Sequence, residues 1–219
     1  MNRELMKTAD RAVLVTGANR GLGRALVEEA LRRGAKRVYA GTRQPLAHSD
    51  GRVMPLTLDV TNAAQIQGAV DTVGSLDILI NNAGLALFDD LSDRAALERH
   101  LAVNLFGTYG MTQAFLPLLA RSRGAIVNVL SVAGLAALPI IPAYSISKAA
   151  AFSLSQSLRA LLAGRCEGTC RPGRPRGHGY VPRLRRTEGL SGVRCASHLR
   201  RSGERGGGHL PRSHVRVHG

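Results

Sequence analysis

Ala12-Val-Leu-Val-Thr-Gly-Ala-Asn-Arg-Gly-Leu-Gly23 passes from an apolar run into a glycine-studded turn. Residues 12–16 are apolar at nearly every position, as suits a short strand covered on both faces. After the turn the spacing becomes helical, with Leu22, Leu26, Ala30 and Leu31 at intervals of four, four and one. Glycines between a strand and a helix let the backbone approach a phosphate at the helix N-terminus, where free N–H groups point outward. A glycine-rich turn taken alone is as well explained as an ordinary tight turn. The strand before it and the helix after it favour the phosphate-binding reading.

The same alternation continues downstream. Arg37–Gly41 reads as a second strand, ending at Thr42-Arg43. A site for NAD would place an acidic residue near that strand end to hold the ribose hydroxyls. Arg43 stands there instead, and Arg20 lies inside the glycine turn. Two cations without a carboxylate suit a 2′-phosphate, so NADP(H) is expected in preference to NAD(H). Val53–Leu58 is a third strand leading to Asp59-Val60, with Asp59 placed to accept a hydrogen bond from an adenine amino group and Thr61 able to cap the next helix. A fourth strand, Leu76–Ile80, runs into Asn81-Asn82-Ala83-Gly84, whose small residues would let a cofactor lie against the backbone. Helical stretches around 95–104 and 107–119 carry Asn104 between them, and Ala125–Ser131 is a fifth strand presenting Ser131 at its end. Strands and helices alternating at this spacing predict an α/β fold of Rossmann type, a doubly wound parallel sheet with its ligand at the strand C-terminal ends.

Tyr144-Ser-Ile-Ser-Lys148 adds chemistry. A spacing of four on a helix puts Tyr144 and Lys148 on one face. The lysine cation favours the phenolate, which makes the tyrosine a usable acid–base group, and a hydroxyl from Ser131 can hold a substrate oxygen meanwhile. A lone tyrosine–lysine pair is usually an ordinary helix surface; here five motifs precede it. Together, Thr16–Gly23, Asp59-Val60, Asn81–Gly84, Asn104, Ser131 and Tyr144–Lys148 resemble the short-chain dehydrogenase/reductase family in order and spacing from about residue 11 to residue 163.

The resemblance implies an oxidoreductase that moves a hydride between NADP(H) and a small carbonyl or alcohol substrate. Tyr144 would be the acid/base, Lys148 would bind the nicotinamide ribose, Ser131 would hold the substrate oxygen, and Asn104 would position a water leading to Lys148. Gly17, Asn19, Arg20, Gly21, Leu22, Gly23, Arg43, Asp59, Val60, Asn82, Ala83 and Gly84 would contact the cofactor. A homodimer or homotetramer is implied as well, through helices matching 95–120 and 143–163; the apolar face of the second, Ala149, Phe152 and Leu158, fits that, and burial within the subunit explains most of it equally well.

The formal charge of +15 is unevenly spread. Residues 1–164 hold 17 Lys/Arg against 12 Asp/Glu, whereas 165–219 hold 13 Arg and 3 Glu, with all three cysteines and five of the seven histidines. A catalytic domain over 1–164 and an irregular or disordered basic tail over 165–219 are expected. Met1–Ala12 lacks a signal peptide's apolar region, and the longest apolar stretch is broken by Pro139 and Pro142, so a cytoplasmic location without membrane contact is expected.

Three readings of the tail compete. It could be an Arg/Gly nucleic-acid arm around Arg205–Gly208, or a metal site from Cys166, Cys170, Cys195 and His198. The third reading is that it is the family's own C-terminus in a shifted frame. Read one base further on, synonymous codons for Gly173–Val181 can spell Ala-Gly-Pro-Val-Asp-Thr-Asp-Met, which looks like the family's turn against the nicotinamide. The same shift turns Thr187–Glu204 into a proline-led amphipathic helix. Family-like runs from a single shift are hard to obtain by accident, so the shifted frame is preferred and no metal is expected. Such a tail would leave the fifth strand as an apolar sheet edge that recruits other chains, so aggregation is expected, and without the family's nicotinamide-holding segment the chain could bind cofactor without turnover.

Overall fold

A computed structural model describes residues 7–163 and the short strand 194–196. The apolar run that opens the chain forms β1 (Ala12–Thr16), buried at all its positions. It lies between β2 (Arg37–Thr42) and β4 (Ile78–Asn81), with β3 (Val53–Thr57) outside β2 and β5 (Ala125–Asn128) outside β4. Every pairing is parallel, and the order is β3-β2-β1-β4-β5. Side chains alternate across the sheet, so Val13 and Val15 pack with Val27, Ala30 and Leu31 of α1 (Gly21–Arg32), while Leu14 faces a second layer containing Ile66, Phe115, Leu119 and Leu158. Those residues come from α2 (Ala63–Thr72), α4 (Thr108–Ser122) and α5 (Pro142–Ala163). Covering both faces is what makes continuous apolar strands stable here.

The sheet does not stop at β5. Three tail residues form β6 (Arg194–Ala196), which pairs in parallel with Ala125–Val127, so the β5 edge expected to lie open is covered there. The proposed metal ligands Cys166, Cys170 and His198, and the Arg/Gly segment, lie outside the described residues.

Several local expectations shift for identifiable reasons. Asn62, not Thr61, caps α2, accepting from the Gln65 N–H at 3.1 Å. Thr61 instead donates its N–H and hydroxyl to Asp59 Oδ1. β4 begins at Ile78, two residues later than expected; just before it the Asp77 carboxylate accepts from Arg11 and from the Ala12 N–H at the start of β1. The two middle helical stretches are one rod, α3 (Arg94–Leu101) joined to α4 by a π-helical turn at Ala102–Gly107. Leu22, whose spacing matches the buried face of α1, is exposed; Gly23, Val27, Ala30 and Leu31 are that face.

Candidate cofactor cleft and active site

Strand order reverses between β1 and β4, and chains leaving their C-terminal ends part to form a crevice. A cleft of about 600 Å³ opens there, lined by Gly17 and Asn19–Gly23 after β1, Thr42–Gln44 after β2, Leu58–Val60 after β3, and Asn82–Leu85 after β4. It thus gathers, from four separate stretches, the residues expected to contact the cofactor except Tyr144 and Lys148, with Arg20, Leu22 and Arg43 among them. Thr42, Gln44, Leu58, Leu85 and Val103 also line it without having been singled out by motif.

The turn is built so that its backbone is bare. Gly17 has φ +66°, and a Cβ there would sit 2.9 Å from the Ala83 backbone. A Cβ on Gly23 would lie 2.0 Å from Gly17 O, which no relaxation of a side chain could relieve. Thr16 Oγ1 accepts from the N–H groups of Asn82 and Ala83, and the Asn82 amide donates to Thr16 O and Gly17 O. These bonds tie the turn after β1 to the one after β4 and hold the crevice at fixed width. Burial works against the Asp59 carboxylate, but the bonds from Thr61 and the nearby Arg43 cation hold its pKa below the ordinary value. It is therefore an anion at neutral pH.

The reacting end is assembled from α5. Lys148 is buried, at 6% exposure, and its Nζ donates to Val129 O at 2.9 Å while lying 5.8 Å from the centre of the Tyr144 ring. Burial lowers its pKa. A Cβ on Gly84 would lie 3.8 Å from the same Nζ, which places the ammonium behind a glycine that lines the cleft; Asn104, Ser131, Tyr144 and Lys148 are not themselves among its lining residues. Ser131 begins a single 3₁₀ turn, Val132–Gly134, and its Oγ accepts from the Ala133 N–H, so its own hydroxyl proton stays available. The turn abuts α5 at Lys148, whose backbone lies 2.8 Å from where a Gly134 Cβ would be. Among the described residues the Tyr144 hydroxyl takes no protein hydrogen bond.

Asn104 lies in the π-helical turn and is buried. Its Oδ1 accepts from Leu85 N–H, and its Nδ2 donates to Leu85 O and to Ser147 Oγ, each at 2.8 Å. Both amide hydrogens are taken by the chain, so a water positioned by Asn104 would donate to one of its oxygens. Of the apolar face weighed between a subunit interface and the core, Leu158 belongs to the core; Phe106 and Tyr109 are the large exposed side chains of the neighbouring rod.

Fold and crevice together define a dinucleotide-binding α/β domain, and the comparisons with known proteins narrow this. Residues 11–166 match the family described as short chain dehydrogenase. A short-chain dehydrogenase from Burkholderia cenocepacia, solved in complex with NADP, is 41% identical with a TM-score of 0.70, covering 73% of this chain and 69% of that one. The 2-(S)-hydroxypropyl-CoM dehydrogenase 3 of Xanthobacter autotrophicus is 36% identical over 73% of this chain and 71% of its own length. Mouse estradiol 17-beta-dehydrogenase 2 is 34% identical, and the match spans 46% of its length. This chain belongs to the short-chain dehydrogenase family, whose members are oxidoreductases and typically oligomeric. Among the described residues no helix is long and apolar enough to cross a membrane.

Proposed function

We propose that the chain reduces a small, uncharged carbonyl compound with NADPH. The observation that carries this reading is Lys148, a buried ammonium beside the Tyr144 ring and behind Gly84 of a cleft whose phosphate end is bare backbone. When bound, the nicotinamide supplies a hydride to the carbonyl carbon. Tyr144 gives its proton to the carbonyl oxygen, so that an alcohol leaves and the phenolate takes a proton back from solvent. Ser131 donates a hydrogen bond from its free hydroxyl to the same oxygen and keeps its proton. Lys148 stabilises the phenolate and holds the nicotinamide ribose. Arg20 and Arg43 line the cleft with no carboxylate among Thr42–Gln44, which supports a 2′-phosphate, as does the NADP found in the Burkholderia relative.

The mouth supports an uncharged substrate. Leu87, Phe88, Val132, Leu135 and Ile140, on the segments that follow Gly84 and Ser131, are exposed, Phe88 at 83%. Asp89 is the single charged residue in 83–89, with exposed Asp90 next to it, and 129–147 holds none before Lys148; the Asp89 carboxylate accepts from Ala143 N–H. NADPH oxidation with a panel of small ketones, aldehydes and keto acids tests this reading. Reduction of uncharged carbonyls ahead of keto acids is expected; no turnover with any carbonyl, together with no NADPH binding, would refute it.

A second reading, a cofactor-binding but catalytically impaired chain, is favoured by one observation: the family match ends at residue 166, where the composition changes. A shifted frame accounts for that coincidence. The same assay on the chain with one base removed or added to restore the frame should then show much higher activity, and equal activity in both would count against the shift.

A further inference from the structure

His100 is fully buried in the last turn of α3 and has no part in the reaction just described. Both ring nitrogens are engaged by backbone. Nδ1 lies 2.7 Å from Ala96 O, and Nε2 lies 3.0 Å from the Leu87 N. A carbonyl oxygen can only accept and an amide N–H can only donate, so Nδ1 carries the proton and Nε2 is the bare acceptor. The ring also stands edge-on to Tyr144, at 6.5 Å between centres and 69° between planes.

His100 works with Asn104. His100, in α3, and Asn104, in the π-helical turn that follows it, face the same segment and bond it two residues apart. Asn104 grips the N–H and C=O of Leu85, and His100 takes the N–H of Leu87. Two residues further, the Asp89 carboxylate caps Ala143 N–H at the start of α5, and Asp89 N–H reaches Ile140 O. The segment from Leu85 to Asp89 is pinned at every second residue, and His100 is the middle pin.

We propose that His100 is a positioning residue: its unprotonated Nε2 fixes the Leu85–Asp89 segment along the active-site mouth while its ring braces Tyr144. The proposal deepens the reductase reading and rests on it for its kinetic consequence. Loss of the acceptor would leave the Leu87 N–H unpaired and let the segment drift, and a drift of about 1 Å beside the reacting centre is worth up to about a hundredfold in rate.

Two substitutions in the full chain separate positioning from core filling. His100→Phe keeps an apolar ring but removes the acceptor. His100→Gln loses the ring but keeps an oxygen for Leu87 and an N–H for Ala96 O. Core filling ranks Phe above Gln, whereas positioning ranks Gln above Phe. Hydrogen exchange at the Leu87 amide should be about tenfold faster in His100→Phe and near the wild-type rate in His100→Gln. In NADPH oxidation, kcat should fall at least about tenfold in His100→Phe, with the NADPH KM held, and recover most of the way in His100→Gln. The opposite ranking, or equal Leu87 exchange in all three, would overturn the proposal. Nitrogen NMR of the wild-type imidazole is the check that needs no variant: protonation at Nδ1 supports the proposal, and an Nε2–H tautomer sinks it. Should the wild type oxidise no NADPH, the reductase reading falls, while Leu87 exchange and the tautomer still decide what His100 holds.

Discussion

The two ends of the cleft are built from different materials. At the phosphate end the surface is backbone, laid bare by Gly17 and Gly23 and tied across the crevice through Thr16 and Asn82. At the reacting end it is made of side chains bonded to backbone, with Asn104 and His100 gripping the Leu85–Asp89 segment, Asp89 holding Ala143 N–H, and Lys148 fixed to Val129 O. Backbone surfaces tolerate no added atoms, whereas side-chain constructions fail by loss of single groups. Substitutions at the two ends should therefore fail in different ways.

The largest effect is expected at the reacting end. Tyr144→Phe keeps the ring beside His100 and Lys148 and removes the one proton the reaction uses, so turnover should drop by about a hundredfold to ten-thousandfold with NADPH affinity nearly unchanged. Turnover near the wild-type level would end the assignment. At the phosphate end Gly23→Ala should act in the opposite manner. Its methyl would meet Gly17 O, a backbone atom, at 2.0 Å, so the turn must move. Overpacking of this kind costs about 1–3 kcal/mol, and NADPH affinity should weaken by about tenfold or more, measured by fluorescence titration. Unchanged affinity would mean that the turn does not carry the cofactor.

A smaller effect tests the choice of cofactor. A charge-assisted bond from Arg43 to a phosphate is worth about 1.5–3 kcal/mol, so Arg43→Asp should reduce the preference for NADPH over NADH by about tenfold or more. Titration of both cofactors in wild type and variant gives the answer directly. A wild type that binds NADH as tightly as NADPH would already contradict the role given to Arg20 and Arg43.

The same division explains what could be read from residues alone. The phosphate end is legible because bare backbone demands glycine at fixed places, and Gly17–Gly23 and Asn82–Gly84 keep their spacing in the one-dimensional text. The Tyr144–Lys148 pair is legible because a spacing of four has one meaning on a helix. The pinning of Leu85–Asp89 is not, since its contacts join residues 13 to 54 positions apart and use ordinary types. His100 did leave a trace: it stands four residues before Asn104 and so shares its face. β6 was out of reach for another reason, because Arg-Cys-Ala has no strand periodicity and pairs only where β5 offers an edge.

The smallest effect sits where the two ends meet. Lys148 is held by a single backbone carbonyl behind Gly84 of the cleft, and burial lowers its pKa below the ordinary 10.5. A lowered pKa means that the unfolded chain binds this proton more tightly than the folded one, so the charged lysine weakens the fold. That penalty is fully present below the folded pKa and disappears as the pH rises through the folded value to above 10.5. Replacing the ammonium by an apolar chain of similar length removes the titration altogether. The stability of wild type relative to Lys148→Met should therefore rise with pH across the window between the lowered pKa and 10.5, and stay level below it. Urea unfolding of both proteins at several alkaline pH values measures the difference without any need for activity. A difference that falls with pH would mean that Lys148 gains a partner on folding strong enough to outweigh burial, and the ammonium would then be a structural tie instead of a charge kept in reserve for Tyr144.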